Sequence, residues 1–213
     1  VPTTQQRPET LGSALRGVGA IFLLPQTWGI LALALVNYAS FLTLRGLWLG
    51  PMLMHRHAMT LVQTGNVALL VSLISLFTPA LFGHFDPGPA RRRQWIIRAV
   101  TLMAAVSGVM AFVPSSWAGV GGMVALAVLS GAGVLQYANV RASYGAEIGG
   151  RAMSVFTMSM FLGVAIVQSL SGFAASWSTV LGGDPYAGVL VCIAALLMLG
   201  AMAFRWLPAA SVR

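Results

Sequence analysis

Residues 81–98 read LFGHFDPGPARRRQWIIR. They follow an apolar run about a bilayer thick, hold Gly83, Gly88, Pro87, Pro89 and the triple Arg91-Arg92-Arg93, and give way at Trp95 to another apolar run. A basic segment broken by proline and glycine between two such runs reads as a short loop between transmembrane helices. Lys/Arg-rich loops resist translocation and stay on the cytoplasmic side. The other segments can be placed relative to this one.

Composition supports that reading. The chain has 213 residues, 58% hydrophobic and 8% charged, with a mean hydropathy of +0.85, too apolar to clothe a soluble globule. A formal net charge of +8 would suit a nucleic-acid binder, but all twelve basic residues are Arg and they sit between apolar runs, not on a polar domain. The charge therefore encodes topology, and no nucleic-acid partner is expected. Cys192 is the only cysteine, which excludes an intrachain disulfide; lying in an apolar run, it is expected to be a buried, inert thiol. The sequence opens at Val1 with no basic n-region before a short apolar segment, as in a fragment without a signal peptide.

The fold class expected is an all-α membrane protein of six transmembrane helices with an amphipathic lead-in. Residues 1–26 begin polar and then carry Leu11, Leu15, Val18, Ile21 and Phe22 at helical spacing around Ser13, Arg16 and Gly17, too short to span and suited to an interfacial helix. Six spans are expected within 27–207: Trp28–Leu53, Leu61–Phe82, Trp95–Val113, Val120–Tyr137, Ala152–Phe173 and Tyr186–Leu207, with 208–213 as a tail. With the Arg91 loop cytoplasmic, alternation puts Arg7, Arg16, Arg91, Arg92, Arg93, Arg98, Arg141, Arg151, Arg205 and Arg213 on that side. Arg56 falls in an outer loop and Arg45 inside a span. Both termini are then cytoplasmic, in a multi-pass protein of a cell membrane, of the bacterial inner-membrane kind. Gly121, Gly122, Gly131, Ala132 and Gly133 in the fourth span, and Ser159, Gly163, Gly172 and Ala175 in the fifth, are small enough for close helix approach inside a bundle. Trp95, Trp117, Trp177, Tyr186 and Trp206 stand at span ends as an aromatic belt.

Six spans, a basic loop between the second and third, and an amphipathic lead-in resemble the C-terminal six-helix half of a major facilitator superfamily transporter. That family's signature loop runs Gly-x-x-x-Asp-(Arg/Lys)-x-Gly-x-(Arg/Lys)-(Arg/Lys). Gly83 and the pair Arg92-Arg93 keep its spacing, while Asp86 comes one residue early and Gly88 two early. Gly149-Gly150-Arg151-Ala152-Met153 is similar to the start of the family's eleventh helix, and Leu44-Arg45-Gly46-Leu47-Trp48-Leu49-Gly50-Pro51 to the seventh helix of some members. The resemblance implies a permease moving a small solute by alternating access, with a missing N-terminal six-helix half as partner, the lipid bilayer as medium and no cofactor. It makes Gly83, Asp86, Arg91, Arg92, Arg93 and Arg151 candidates for the signature loop and gate.

Among residues that could carry chemistry, Arg45 is the most expensive, because an Arg inside a span needs protein, water or a headgroup as partner. Tyr38, Phe41 and Trp48 lie at −7, −4 and +3 from it on one helical face. Facing a cavity, that group suits an anionic or aromatic substrate; facing lipid, Arg45 would snorkel to headgroups. Gly46, Gly50 and Pro51 would let the helix bend as a gate requires. Gln136, Asn139 and Gln168 can line a pathway or tie helices together. His55 and His57 flank Arg56 without further metal-ligand types nearby, which reads as solvated loop and no metal site. Glu9, Asp86, Glu147 and Asp184 all fall outside the spans, so no carboxylate is expected at membrane depth. With no Gly-x-Ser-x-Gly elbow and no intramembrane Ser/His or Asp pair, an enzyme is not expected. A non-transporting structural or self-associating six-helix protein remains an alternative, which a natural start codon close before Val1 would favour.

Overall fold

A computed structural model of the chain describes residues 11–208, all helix and turn without a strand. Arg7, Glu9 and the tail with Arg213 lie outside the described residues, as do the side chains of 11–16 and Ala146. A short helix α1 (Leu11–Phe22) leads into six helices long and apolar enough to cross a membrane: Pro25–Arg56, α4 (Leu61–His84), α5 (Pro89–Phe112), Ser116–Ser143, Glu147–Val180 and α9 (Pro185–Trp206). This is the architecture of a multi-pass membrane protein.

Each span starts where local chemistry supplies a start. Pro25, Pro89 and Pro185 occupy first helical positions, where a missing N–H costs nothing. Thr60 opens the second span with a capping box: its hydroxyl accepts from Gln63 N at 3.2 Å, and Gln63 Oε1 accepts from Thr60 N at 2.9 Å. Ser115 and Asp184 cap the fourth and sixth spans, accepting from Ala118 N at 3.1 Å and Tyr186 N at 2.9 Å. Gly88, with φ +79°, turns the chain into the third span. That span therefore begins at Pro89, not Trp95, and Arg91–Arg93 lie on its first turn instead of in a loop. The fifth helix, α8 (Ala146–Val180), is 35 residues long and overshoots the expected Ala152–Phe173 at both ends.

Two spans depart from plain α-helix. The first runs as α2 (Pro25–Thr43), a π-helical turn at Leu44–Trp48, one α turn α3 (Leu49–Pro51) and a second π turn at Met52–Arg56. The fourth, expected as one helix, is divided into α6 (Ser116–Ser130) and α7 (Gly133–Ser143). At the break Gly131 N and Ala132 N bond back only three residues, to Val128 O and Leu129 O. Gly131 packs against Thr78 of the second span so closely that a Cβ would strike it, and Thr78 Oγ1 donates to Ala127 O at 3.2 Å.

The first span is the centre of the bundle, packed on the fifth and sixth; the second is peripheral and the least buried. The small residues do bring helices together, though chiefly not the fourth and fifth with each other. Gly163 of the fifth span lies on the Leu35 carbonyl of the first, Gly200 of the sixth on Val36, and Gly122 of the fourth on Met110 of the third. Gly121 and Gly172 face open space. Ser159 Oγ adds a bond to Leu31 O at 3.0 Å. Leu33, Leu53, Met123, Leu126, Phe156, Leu190, Ile193 and Leu197 fill the core with essentially no exposure. Trp117, Trp177 and Trp206 are exposed at span ends, whereas Tyr186 packs edge-on against Trp48. Cys192 is half-buried, not fully buried as expected.

Candidate functional site

The π turn of the first span decides what that helix presents. Leu49 N–H bonds to Leu44 O, five residues back, so this turn is wider than an α turn. Up to Arg45 the α register holds, and Asn37, Tyr38, Phe41 and Arg45 line one cavity of about 320 Å³. Beyond it Trp48 is carried round to the fifth and sixth spans: its Nε1 donates to Ser171 Oγ of the fifth at 2.9 Å and its ring meets Tyr186 of the sixth. Trp48 thus leaves the face on which α-helical spacing put it. Gly46 and Gly50 have open space around them and Pro51 is exposed.

The central cavity is completed by Ser75 and Pro79 of the second span, Gly133, Gln136 and Tyr137 of the fourth, and Phe156 and Met160 of the fifth. The break at Gly131 sets the position of α7 and so of Gln136 and Tyr137. Tyr137 is held edge-on to Phe156 at 5.0 Å and donates to Met160 Sδ at 3.4 Å. Asn37 and Gln136 are more than nine-tenths buried, yet Asn37 Oδ1 and Gln136 Nε2 have no hydrogen-bond partner. Arg45 is exposed at the cavity rim and forms no ion pair among the described residues. Of the described carboxylates, Asp86, Glu147 and Asp184, none lines the cavity. The lining is thus aromatic and amide, with a single cation.

Of the residues singled out in the sequence, Arg45, Tyr38, Phe41 and Gln136 come together; Trp48, Asn139 and Gln168 do not. Asn139 lies one turn from Gln136 but lines a separate cavity of about 220 Å³ at the arginine-rich end, with Gln26, Arg92, Arg93 and Phe204. Gln168 lies on the fifth span outside both cavities, its carbonyl accepting from Ser171 Oγ at 2.9 Å. Asn37, Tyr137, Phe156 and Met160 were missed. Asn37 had a signal, an amide within an otherwise apolar run two turns before Arg45.

At the arginine-rich end Arg92 is buried and paired. Its Nη2 donates to Asp86 Oδ2 at 2.6 Å and its Nε to Oδ1 at 3.0 Å, while Nη1 reaches Ala138 O of α7 at 3.2 Å. The hydrogen bonds from Arg92, with help from Gly88 N, hold the Asp86 carboxyl below the usual range. Arg93 caps the sixth span: Nη2 donates to Leu207 O at 2.8 Å and Arg205 O at 3.2 Å, with the guanidinium 5.2 Å over the Phe204 ring. Arg91 is exposed, Gly83 is open, and the Arg151 guanidinium lies against Gly17 of α1.

At the opposite end Arg56 lies on the first spanning helix and not in the outer loop expected for it. It ends the first span with its side chain 8% exposed. Nη1 donates to Met110 O and Nη2 to Ala111 O, both at 2.8 Å, satisfying carbonyls that the end of the third span leaves orphaned. Its Nε stands 2.7 Å from Asp184 Oδ2, an ion pair rather than an aligned hydrogen bond. Three spans are tied there by one guanidinium. His57, expected in solvent, is half-buried against Gly119 with Nε2 unpartnered. Burial first and the Arg56 charge second push its pKa down, against a smaller upward pull from Asp184.

The fold and this cavity define a six-span helical membrane protein with an aromatic, amide-lined central site. No model of a known protein family matches the chain, and no curated protein does.

Proposed function

We propose that the chain is the C-terminal six-helix half of a permease of the major facilitator kind, moving a small anionic solute across a membrane by alternating access. The observation that carries the reading is the central cavity, where an Arg with no carboxylate among the described residues of the lining stands beside aromatic rings and two unpartnered amides. At about 320 Å³ the cavity lies at the small end of the roughly 300–1,000 Å³ range of ligand sites. A guanidinium at membrane depth needs an anion or water, and a transported solute supplies one intermittently.

The aromatic and cationic rim, with Tyr38, Tyr137 and Arg45 all exposed, has nothing opposite it among the described residues. A second six-helix half fits there, and rocking one half against the other around a midplane site is how such two-half transporters work. The Arg92 and Arg93 contacts at one end and the Arg56 contacts at the other would then hold this half rigid as it rocks. Arg91–Arg93, Arg141, Arg151 and Arg205 on one side favour that side as cytoplasmic, with α1 along the inner interface.

The test is uptake into vesicles by the protein expressed from its own reading frame, screened over small organic and inorganic anions. Saturable uptake that Arg45→Gln abolishes, with unchanged insertion and yield, is the expected result. Wild-type uptake by Arg45→Gln returns that arginine to a headgroup anchor. Six further spans encoded directly upstream would support the half-permease assignment, and a start codon close before Val1 would favour a free-standing structural protein.

A further inference from the structure

Asn37 and Gln136 do not tie helices together. Both are more than nine-tenths buried, both line the central cavity, and neither Asn37 Oδ1 nor Gln136 Nε2 has a partner. Each amide offers a donor and an acceptor. Whichever way each is turned, the pair leaves both kinds of capacity unspent beside the cavity. Leaving such groups unmet is costly in a buried site, so the site is shaped for something that meets them.

We infer that the cavity recognises a solute polar at both ends: an anionic group for Arg45, and a neutral group carrying donor and acceptor together, such as a carboxamide or lactam, for Asn37 and Gln136, joined by a flat apolar body. This rests on the transport reading and narrows its substrate class. Asn37 and Arg45 are eight residues apart, about 12 Å along the helix axis. Helical side chains lean toward the N-terminus, so the guanidinium reaches back toward Asn37. Phe41 and Tyr38 lie between them on the first span, and Tyr137 and Phe156 form an edge-on pair on the other walls, surfaces on which a flat body packs. A ligand whose donor and acceptor meet the unpartnered amides as they turn toward it is favoured over one that cannot.

The experiment measures binding of three probes to the purified, detergent-solubilised protein by calorimetry: benzoate, 4-carbamoylbenzoate and benzamide. The expected order puts 4-carbamoylbenzoate at least tenfold tighter than benzoate, and benzamide weakest. The Asn37→Leu/Gln136→Leu double variant should bring the affinities for 4-carbamoylbenzoate and benzoate together, and Arg45→Gln should remove the advantage of both over benzamide. Equal binding of benzoate and 4-carbamoylbenzoate by wild type, which needs no variant to fold, overturns the inference while leaving the anion reading standing; the amides then serve water alone. Benzamide binding as tightly as 4-carbamoylbenzoate, with no response to Arg45→Gln, removes the anion reading itself. Absence of binding by all three overturns the inference as well.

Discussion

Arg56 shows how much one side chain can hold. Replacing it with Gln would leave the Met110 and Ala111 carbonyls and the Asp184 carboxylate without their partner. Breaking a buried pair from one side leaves the other charge uncompensated, so Arg56→Gln should lower stability by about 3 kcal/mol. Arg91→Gln, at an exposed position on the same kind of helix, should change it by less than about 0.5 kcal/mol. Thermal unfolding in detergent compares them, and equal midpoints would mean that the Arg56 contacts contribute nothing. His57 beside it makes that end sensitive to acid. Its folded pKa is pushed below 6.5, so the unfolded chain binds more protons and stability rises with pH. The contribution of neutral His57 is therefore complete above pH 6.5 and is lost as pH falls from there through the depressed folded value. His57→Gln should flatten the stability profile between pH 7 and 5, and a slope identical to wild type would assign the sensitivity elsewhere. Asp86 has the same sign in a lower window. Its depressed carboxyl keeps its stabilising pairing with Arg92 above the unfolded value of 3.8 and loses it only as pH falls further, through the folded pKa.

Contact between the first and fifth spans depends on Gly163, where a Cβ would overlap the Leu35 carbonyl. Backbone cannot move aside as a flexible side chain can, so Gly163→Ala should destabilise at the upper end of the ~1–3 kcal/mol range for overpacking. Gly172→Ala, on the same helix and facing open space, is the control and should be neutral or slightly stabilising. A Gly163→Ala variant that melts with Gly172→Ala would show that the helices separate freely. The sequence could not distinguish these two glycines, because what matters is a carbonyl on a helix 128 residues away. The spans themselves were legible, since an apolar run of bilayer length needs no partner to be recognised. The Thr60-x-x-Gln63 capping box was readable by the same local logic, though it was passed over. The π turns were not, because Leu44–Trp48 has no composition that demands a five-residue bond, and Trp48 was therefore assigned to the Arg45 face. Sequence alone puts Arg56 in an outer loop, because Asp184 and the end of the third span become its neighbours only on folding. Part of the central cavity was visible as Arg45, Tyr38, Phe41 and Gln136; Tyr137, Phe156 and Met160 needed the Gly131 break and the packing of the fifth span to bring them in.

The arrangement of charge over the whole molecule makes a prediction about orientation. Arg92 and Arg93 clamp the ends of the fourth and sixth spans at the face where Arg141, Arg151 and Arg205 also lie, while Arg56 and Asp184 pair at the other. Five or more arginines against one is a strong bias under the positive-inside rule, so the Arg92 face is expected in the cytoplasm. Single cysteines in a background with Cys192 replaced by Ala test it. Gly88 and Gly182 are unsuitable positions, since their φ angles of +79° and +73° would strain any side chain. Gly83 and Gly149 on one face and Gly183 on the other can take a Cβ without a clash. In intact cells a membrane-impermeant maleimide should label Gly183→Cys and leave Gly83→Cys and Gly149→Cys unlabelled until the membrane is permeabilised. The reverse pattern would invert the molecule, and labelling of all three without permeabilisation would contradict six crossings. The result also fixes which side of the membrane the cavity lies nearer. Ser75 and Pro79, Gln136 and Tyr137, and Phe156 and Met160 all fall on the Arg92 side of the midpoints of their spans, with Arg45 on the other side of the first. In the expected orientation the cavity lies in the cytoplasmic half of these spans, with Arg45 on its outer side and the Arg56 contacts at the outer ends of the first and third spans.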